Sequence, residues 1–211
     1  MGPAQVHKYF ILYKPYNMVS QFVSPHDVRL LGDLNFDFPA GTHAIGRLDH
    51  HSEGLLILTT NKKITKLLFE GPAAHERTYL VQVKNRVSKE SLALLQNGVE
   101  IKIKSGEKYT TLPGKANIIE DPSKLCHIEN VMIAYPPFTW LTLSIKEGKY
   151  HQVRKMTKAL HHRCYRLIRL SIEDLTLQDL KPGEVKEISE DEFFRKLHLT
   201  HLAMEIIKTT P

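Results

Sequence analysis

Two cysteines, Cys126 and Cys164, are too few for a disulfide framework or a four-thiolate zinc site in a chain of 211 residues. Such sparing use fits a reducing compartment, and a cytoplasmic protein is expected. No apolar run approaches the ~18–20 residues that cross a bilayer. The opening Met1-Gly2-Pro3-Ala4-Gln5 has neither the basic start nor the apolar stretch of a secretory signal. The sequence also lacks a Gly-rich phosphate loop closed by Lys-Ser/Thr, a paired-glycine dinucleotide fingerprint and a Gly-x-Ser-x-Gly elbow. There is no internal repeat, low-complexity run or long Gly/Ser linker. With 42% hydrophobic and 25% charged residues, the composition is that of a globular chain with one large domain or two small ones.

Charge is present but unevenly placed. The chain carries 29 Lys/Arg against 23 Asp/Glu. Within residues 146–169, eight basic residues (Lys146, Lys149, Arg154, Lys155, Lys158, Arg163, Arg166 and Arg169) face one acid, Glu147. The remainder is close to neutral. A block this concentrated suits a polyanion, since each neutralised phosphate releases condensed counterions. Alternatively, it is a solvated helical face whose balancing acids are brought in by the fold.

Twelve histidines invite a metal reading, through His161, His162 and Cys164 with the His50-His51 pair. Adjacent histidines diverge in a strand or helix, and neither cysteine has a second thiol at ligand spacing. The expectation is therefore no metal, with histidines that face solvent or contact bases.

Strand signals fall on 9–13, 55–58, 78–83, 141–146, 167–170 and 184–188, and a β-like stretch with a Pro113-Gly114 turn on 99–119. Leu141, Leu143 and Ile145 are expected inward, as are Tyr79, Val81 and Val83. Helices are expected over 62–70, from a Ser88 cap to Asn97-Gly98, from Glu147-Gly148 onward with Val153, Met156 and Leu160 on one stripe, and over 190–208. Residues 16–42 read as loop with a short helical turn. Mixed elements without a regular βαβ rhythm indicate an α+β fold.

The segment Gly46-Arg47-Leu48-Asp49-His50-His51-Ser52-Glu53-Gly54-Leu55-Leu56-Ile57-Leu58-Thr59 places an Arg and an Asp on a tight turn before a wholly apolar strand. Read alone, it is either a carboxylate projected for chemistry or a turn with an Asp cap and an Arg–Asp surface pair.

In this setting Gly46-Arg47-Leu48-Asp49 with Ser52-Glu53-Gly54-Leu55 resembles the catalytic-aspartate motif of RNA pseudouridine synthases, in the branch that contains small-subunit synthase A and large-subunit synthases B, E and F. Three further motifs follow the family's order. Tyr13-Lys14-Pro15-Tyr16 resembles its opening Lys-Pro motif, and Arg77-Thr78-Tyr79-Leu80-Val81 the segment with the active-site tyrosine. Glu147-Gly148-Lys149-Tyr150-His151-Gln152-Val153-Arg154 resembles the motif with the active-site basic residue. Leu167–Leu170 and Leu180–Glu184 match its closing strands, so the resemblance spans roughly residues 9–188.

The resemblance implies one catalytic domain over 1–211, a bent, largely antiparallel sheet flanked by helices, and a C-terminal helix over 190–208 outside the motif core. The Lys-Pro motif begins at residue 14, so an S4-type RNA-binding domain is expected to be absent, as in the E type. That type points to a uridine in large-subunit ribosomal RNA, free or in an assembly intermediate; a transfer RNA target is the alternative.

The implied roles follow the chemistry. Moving a base from N1 to C5 attachment is neither redox nor hydrolysis, so no cofactor is expected. It requires an ionised carboxylate at the sugar, and Asp49 matches. Burial would push that carboxyl toward its neutral form, and Arg154 is the implied guanidinium that holds it ionised. Tyr79 would lie against the target base. Arg47 would fill the space of the extruded nucleotide or touch phosphate, and Lys14 would hold a loop or the RNA backbone. Lys149, Lys155 and Lys158 would meet phosphates, and Asp49, Tyr79 and Arg154 are expected in one basic cleft. The rivals are a non-catalytic RNA-binding protein and a small-molecule hydrolase pairing Asp49 with a histidine.

Overall fold

The computed structural model describes residues 7–69, 74–129 and 137–199. Its strands are β1 (Tyr9–Lys14), β2 (His43–Ile45), β3 (Glu53–Thr59), β4 (Arg77–Lys84), β5 (Glu100–Lys102), β6 (Lys108–Thr110), β7 (Lys115–Ile119), β8 (Phe138–Ile145), β9 (Cys164–Ile172), β10 (Leu175–Thr176) and β11 (Val185–Ile188). Its helices are α1 (Ile64–Phe69), α2 (Lys89–Asn97), α3 (Gln152–Ala159) and α4 (Glu190–Lys196). The α+β expectation holds. The chain divides into two compact units, one from residues 1–73 and 173–211, the other from residues 74–172.

In the first unit, β1 lies between β11 and β3, and β2 pairs with β3, all antiparallel. Strand β3 is buried along its whole length, which its unbroken apolar run Leu55–Leu58 requires. Phe10 and Leu12 of β1 and Leu56 and Leu58 of β3 face one core. That core is completed by Met18, Leu31 and Leu34, with Phe22, Phe36 and Phe38 packed against it. Residues 16–42 are thus a loop in backbone terms, with one 3-10 turn at Leu31–Asp33, but a core layer in side-chain terms.

Tyr9 packs against Phe193 of α4, ring centroids 4.5 Å apart, and its hydroxyl donates to Glu190 at 2.7 Å. Helix α4 starts at its Ser189 cap, whose hydroxyl accepts from the Glu192 N–H. It ends at Lys196, because the chain turns at Leu197 and enters the left-handed region at His198 (φ 57°). The helix read over 190–208 is therefore shorter where it is described, and residues 200–208 lie outside the described residues.

In the second unit, β4 is flanked by β9 and β8, and β8 by β7, again antiparallel. Val81, Val83, Leu141, Leu143 and Ile145 point into one core with Val153 and Met156 of α3, as the alternation and the helical stripe predict. Ser88 caps α2 through the Ser91 N–H, and the helix stops at Gly98. The stretch 99–119 splits into the β5–β6 hairpin and β7.

Candidate active site

Asp49 sits half-buried on the turn that feeds β3, and Arg47, two residues earlier, is exposed. Gly46 (φ 69°) and Gly54 (φ 99°) bracket this turn in the left-handed region, which a side chain would strain. Between them the Ser52 N–H donates to the Asp49 carbonyl at 2.9 Å. On the N-terminal side of Asp49, the buried Ser20 hydroxyl grips Leu48. It accepts from the Leu48 N–H and donates to the Leu48 carbonyl, each at 3.0 Å. The Asp49 backbone is thus held from both flanks.

Lys14 is fully buried, and its Nζ donates to the carbonyls of Pro15 (2.9 Å) and Met18 (2.6 Å). These bonds shape the bend between β1 and the long loop that supplies Ser20. Tyr16, at the tip of this bend, stacks on His51.

In the second unit, Tyr79 lies on β4 directly opposite Arg169 of β9. The register shifts between Thr78 and Tyr79, with Leu170 as the extra residue; such a bulge re-aims neighbouring side chains. Arg169 is buried and hydrogen-bonded to the Tyr79 side chain. Burial pushes the arginine's pKa down, the Tyr79 interaction opposes that, and the like charge of Arg77 adds to it. Arg169 is therefore part of the tyrosine's mounting.

Arg154 lies half-buried on α3 and donates from Nη1 to Cys164 Sγ at 3.6 Å. The Cys164 thiol donates in turn to the Arg166 carbonyl at 3.4 Å. Burial drives this thiol up to about 11, with the Arg154 charge a weaker opposing influence. It stays a thiol at neutral pH.

The turn before α3 is organised by Glu147. Its carboxylate accepts from the Tyr109 hydroxyl (2.5 Å), the Leu112 N–H (2.8 Å) and Gln152 Nε2 (2.7 Å). Gln152 Oε1 closes the ring by accepting from the Lys149 N–H at 2.9 Å. The motif and the basic block both contain Glu147, but neither discloses this anchoring role; the acid-to-amide spacing of five residues is the available signal. Lys149 and Lys158 are exposed and Lys155 is half-buried. Lys149 lies over the Tyr109 ring (4.7 Å) and Lys155 over Tyr150 (5.3 Å).

His162 departs from the expectation of histidines facing solvent or bases. It is buried, with Nδ1 bonded to the Lys84 carbonyl (3.1 Å) and Nε2 to Ser91 Oγ (3.3 Å). Both nitrogens thereby tie β4 and α2 to the end of α3.

A family model described as RNA pseudouridylate synthase matches residues 8–159. The chain is 39% identical over 183 residues to ribosomal large subunit pseudouridine synthase E of Vibrio vulnificus, covering 86% of this chain and 75% of that protein. It is 30% identical over 188 residues to ribosomal large subunit pseudouridine synthase B of Bacillus subtilis, covering 89% and 70%. A crystal structure of a pseudouridylate synthase superposes with a TM-score of 0.73 at 29% identity, over 92% of this chain and 75% of that one. The match runs through both compact units and takes in the Asp49 turn, Tyr79 and Arg154. The chain belongs to the RNA pseudouridylate synthases, isomerases that convert uridine in RNA to pseudouridine.

Proposed function

We propose that this chain isomerises one specific uridine of large-subunit ribosomal RNA in the cytoplasm, with Asp49 as the catalytic carboxylate and no cofactor. The observation that carries the reading is the Asp49 turn. A half-buried carboxylate stands between two glycines at positive φ, with its backbone held by Ser20 and Ser52. An Asp that merely capped a turn would not need that much fixation.

The reaction breaks the C1′–N1 bond, turns the uracil and joins C5 to C1′. The proton on C5 leaves and N1 gains one, so atoms balance without an added reagent. Asp49 acts at the sugar, by attack on C1′ or by assisting departure of the base. Arg154 holds that carboxylate ionised, because its guanidinium stays charged at neutral pH. Tyr79, mounted on Arg169, lies against the uracil. Arg47, exposed beside Asp49, meets the space left by the extruded nucleotide or a phosphate. Extrusion costs a few kcal/mol, and contacts from Lys149, Lys155 and Lys158 offset it. Lys14, whose amine is engaged by two backbone carbonyls, shapes the loop in this account.

The large-subunit target rests on the names of the E-type relatives. Mapping pseudouridines by chemical labelling in cells with and without the gene tests it. One lost site in large-subunit RNA, restored by wild type but not by Asp49→Asn, is expected. Loss of a transfer RNA site with intact ribosomal RNA would overturn the substrate and leave the isomerase standing.

A further inference from the structure

We propose that Tyr16, His51 and His50 form a stacking platform for a base adjacent to the target uridine. The inference rests on the Asp49 assignment above and adds a specificity element beside it. The Tyr16 and His51 rings stack with centroids 5.4 Å apart and planes at 29°. His50 and His51 follow at 4.8 Å and 48°, which makes a run of three rings. The two histidines directly follow Asp49 in the chain, so the run is placed beside the carboxylate by covalent connection alone.

Both carriers of these rings are fixed. Tyr16 sits on the bend held by the Lys14 amine, and the histidines sit in the turn closed by the Ser52 N–H on the Asp49 carbonyl. Yet the rings are not used for core packing. Tyr16 is 48% exposed, and His51 is exposed as well. A fixed, solvent-facing aromatic run is what single-stranded RNA recognises, because every base has a π-face. Extruding a uridine also strips its neighbours of a stacking partner, and a ring surface next to the carboxylate replaces it. Among the described residues, no group of three His, Cys, Asp or Glu is placed to hold an ion.

The test uses the full chain and an RNA hairpin around the mapped uridine, with natural flanks or with an abasic residue 5′ or 3′ of the target. Tyr16→Ala is expected to raise KM about tenfold on the natural hairpin, the scale of one lost base–aromatic stack. Tyr16→Phe, which keeps the ring, restores it. On one of the two abasic hairpins, wild type and Tyr16→Ala should have the same KM. An equal penalty on both abasic hairpins, or no rescue by Tyr16→Phe, overturns the platform. If Tyr16→Ala does not fold, His51→Ala against His51→Phe gives the same comparison. Binding of the same hairpins in an Asp49→Asn background separates the two readings. Pseudouridine formed by Asp49→Asn sinks the catalytic assignment and leaves a ring dependence of binding standing, whereas turnover without ring dependence sinks the platform.

Discussion

The Ser20 hydroxyl bonds both backbone groups of Leu48, N–H and carbonyl, across 28 positions of sequence. This one side chain stitches the long loop to the residue before Asp49. Ser20→Ala leaves two buried backbone groups without their partner, a loss of about 1–3 kcal/mol. Urea denaturation should show it, and turnover should fall further than the unfolded fraction explains. Unchanged stability and turnover would mean the turn holds itself.

Lys14 separates two roles cleanly. If its amine serves the Pro15 and Met18 carbonyls, Lys14→Met lowers stability by about 1.5–3 kcal/mol, the range for bonds involving a charged group. A phosphate-binding lysine would instead leave the denaturation midpoint in place and raise KM.

The Cys164 thiol, pushed up by burial to about 11, should label slowly. In a Cys126→Ala background, the rate with a disulfide reagent should climb about tenfold per pH unit from 8 to 10. A plateau near pH 8.5, the behaviour of an ordinary thiol, would contradict the buried environment beside Arg154.

His198 gives the chain a pH signature. Its Nε2 lies 2.7 Å from Asp174 Oδ2, and this bond raises its pKa, against desolvation and with help from the charges of Asp174 and Glu173. A raised pKa means the folded state favours the protonated ring. The contribution is therefore full below the ordinary value of 6.5 and fades as pH rises through the raised one. His198→Gln should cost more stability at pH 5.5 than at pH 9. The effect is small, since the pair is exposed. Equal costs at both pH values would exclude it.

What the sequence disclosed was whatever has a local cause. The apolar run of β3, the Ser88 cap with Gly98 on α2, and the stripe of α3 are each set by neighbours within a turn or a strand. The motif residues stood out for the same reason. What stayed hidden depends on distant partners. Strand β2 has three residues inside a Gly- and Pro-rich stretch and exists because β3 offers it an edge. Ser20 has no local mark of its grip on Leu48. Arg169 counted as one charge of the basic block because composition does not register the bulge at Leu170 that sets it opposite Tyr79. The loop 16–42 was legible as irregular backbone, while its role as a core layer emerges only from packing.

Release of tritium from RNA labelled at uridine C5 reads the isomerisation assigned to Asp49 directly, because C5 loses its hydrogen when it joins the sugar. Wild type should release label with chelator present and no added nucleotide. Asp49→Asn should release none above background while binding the same RNA as well as wild type. Full tritium release by Asp49→Asn would contradict the account.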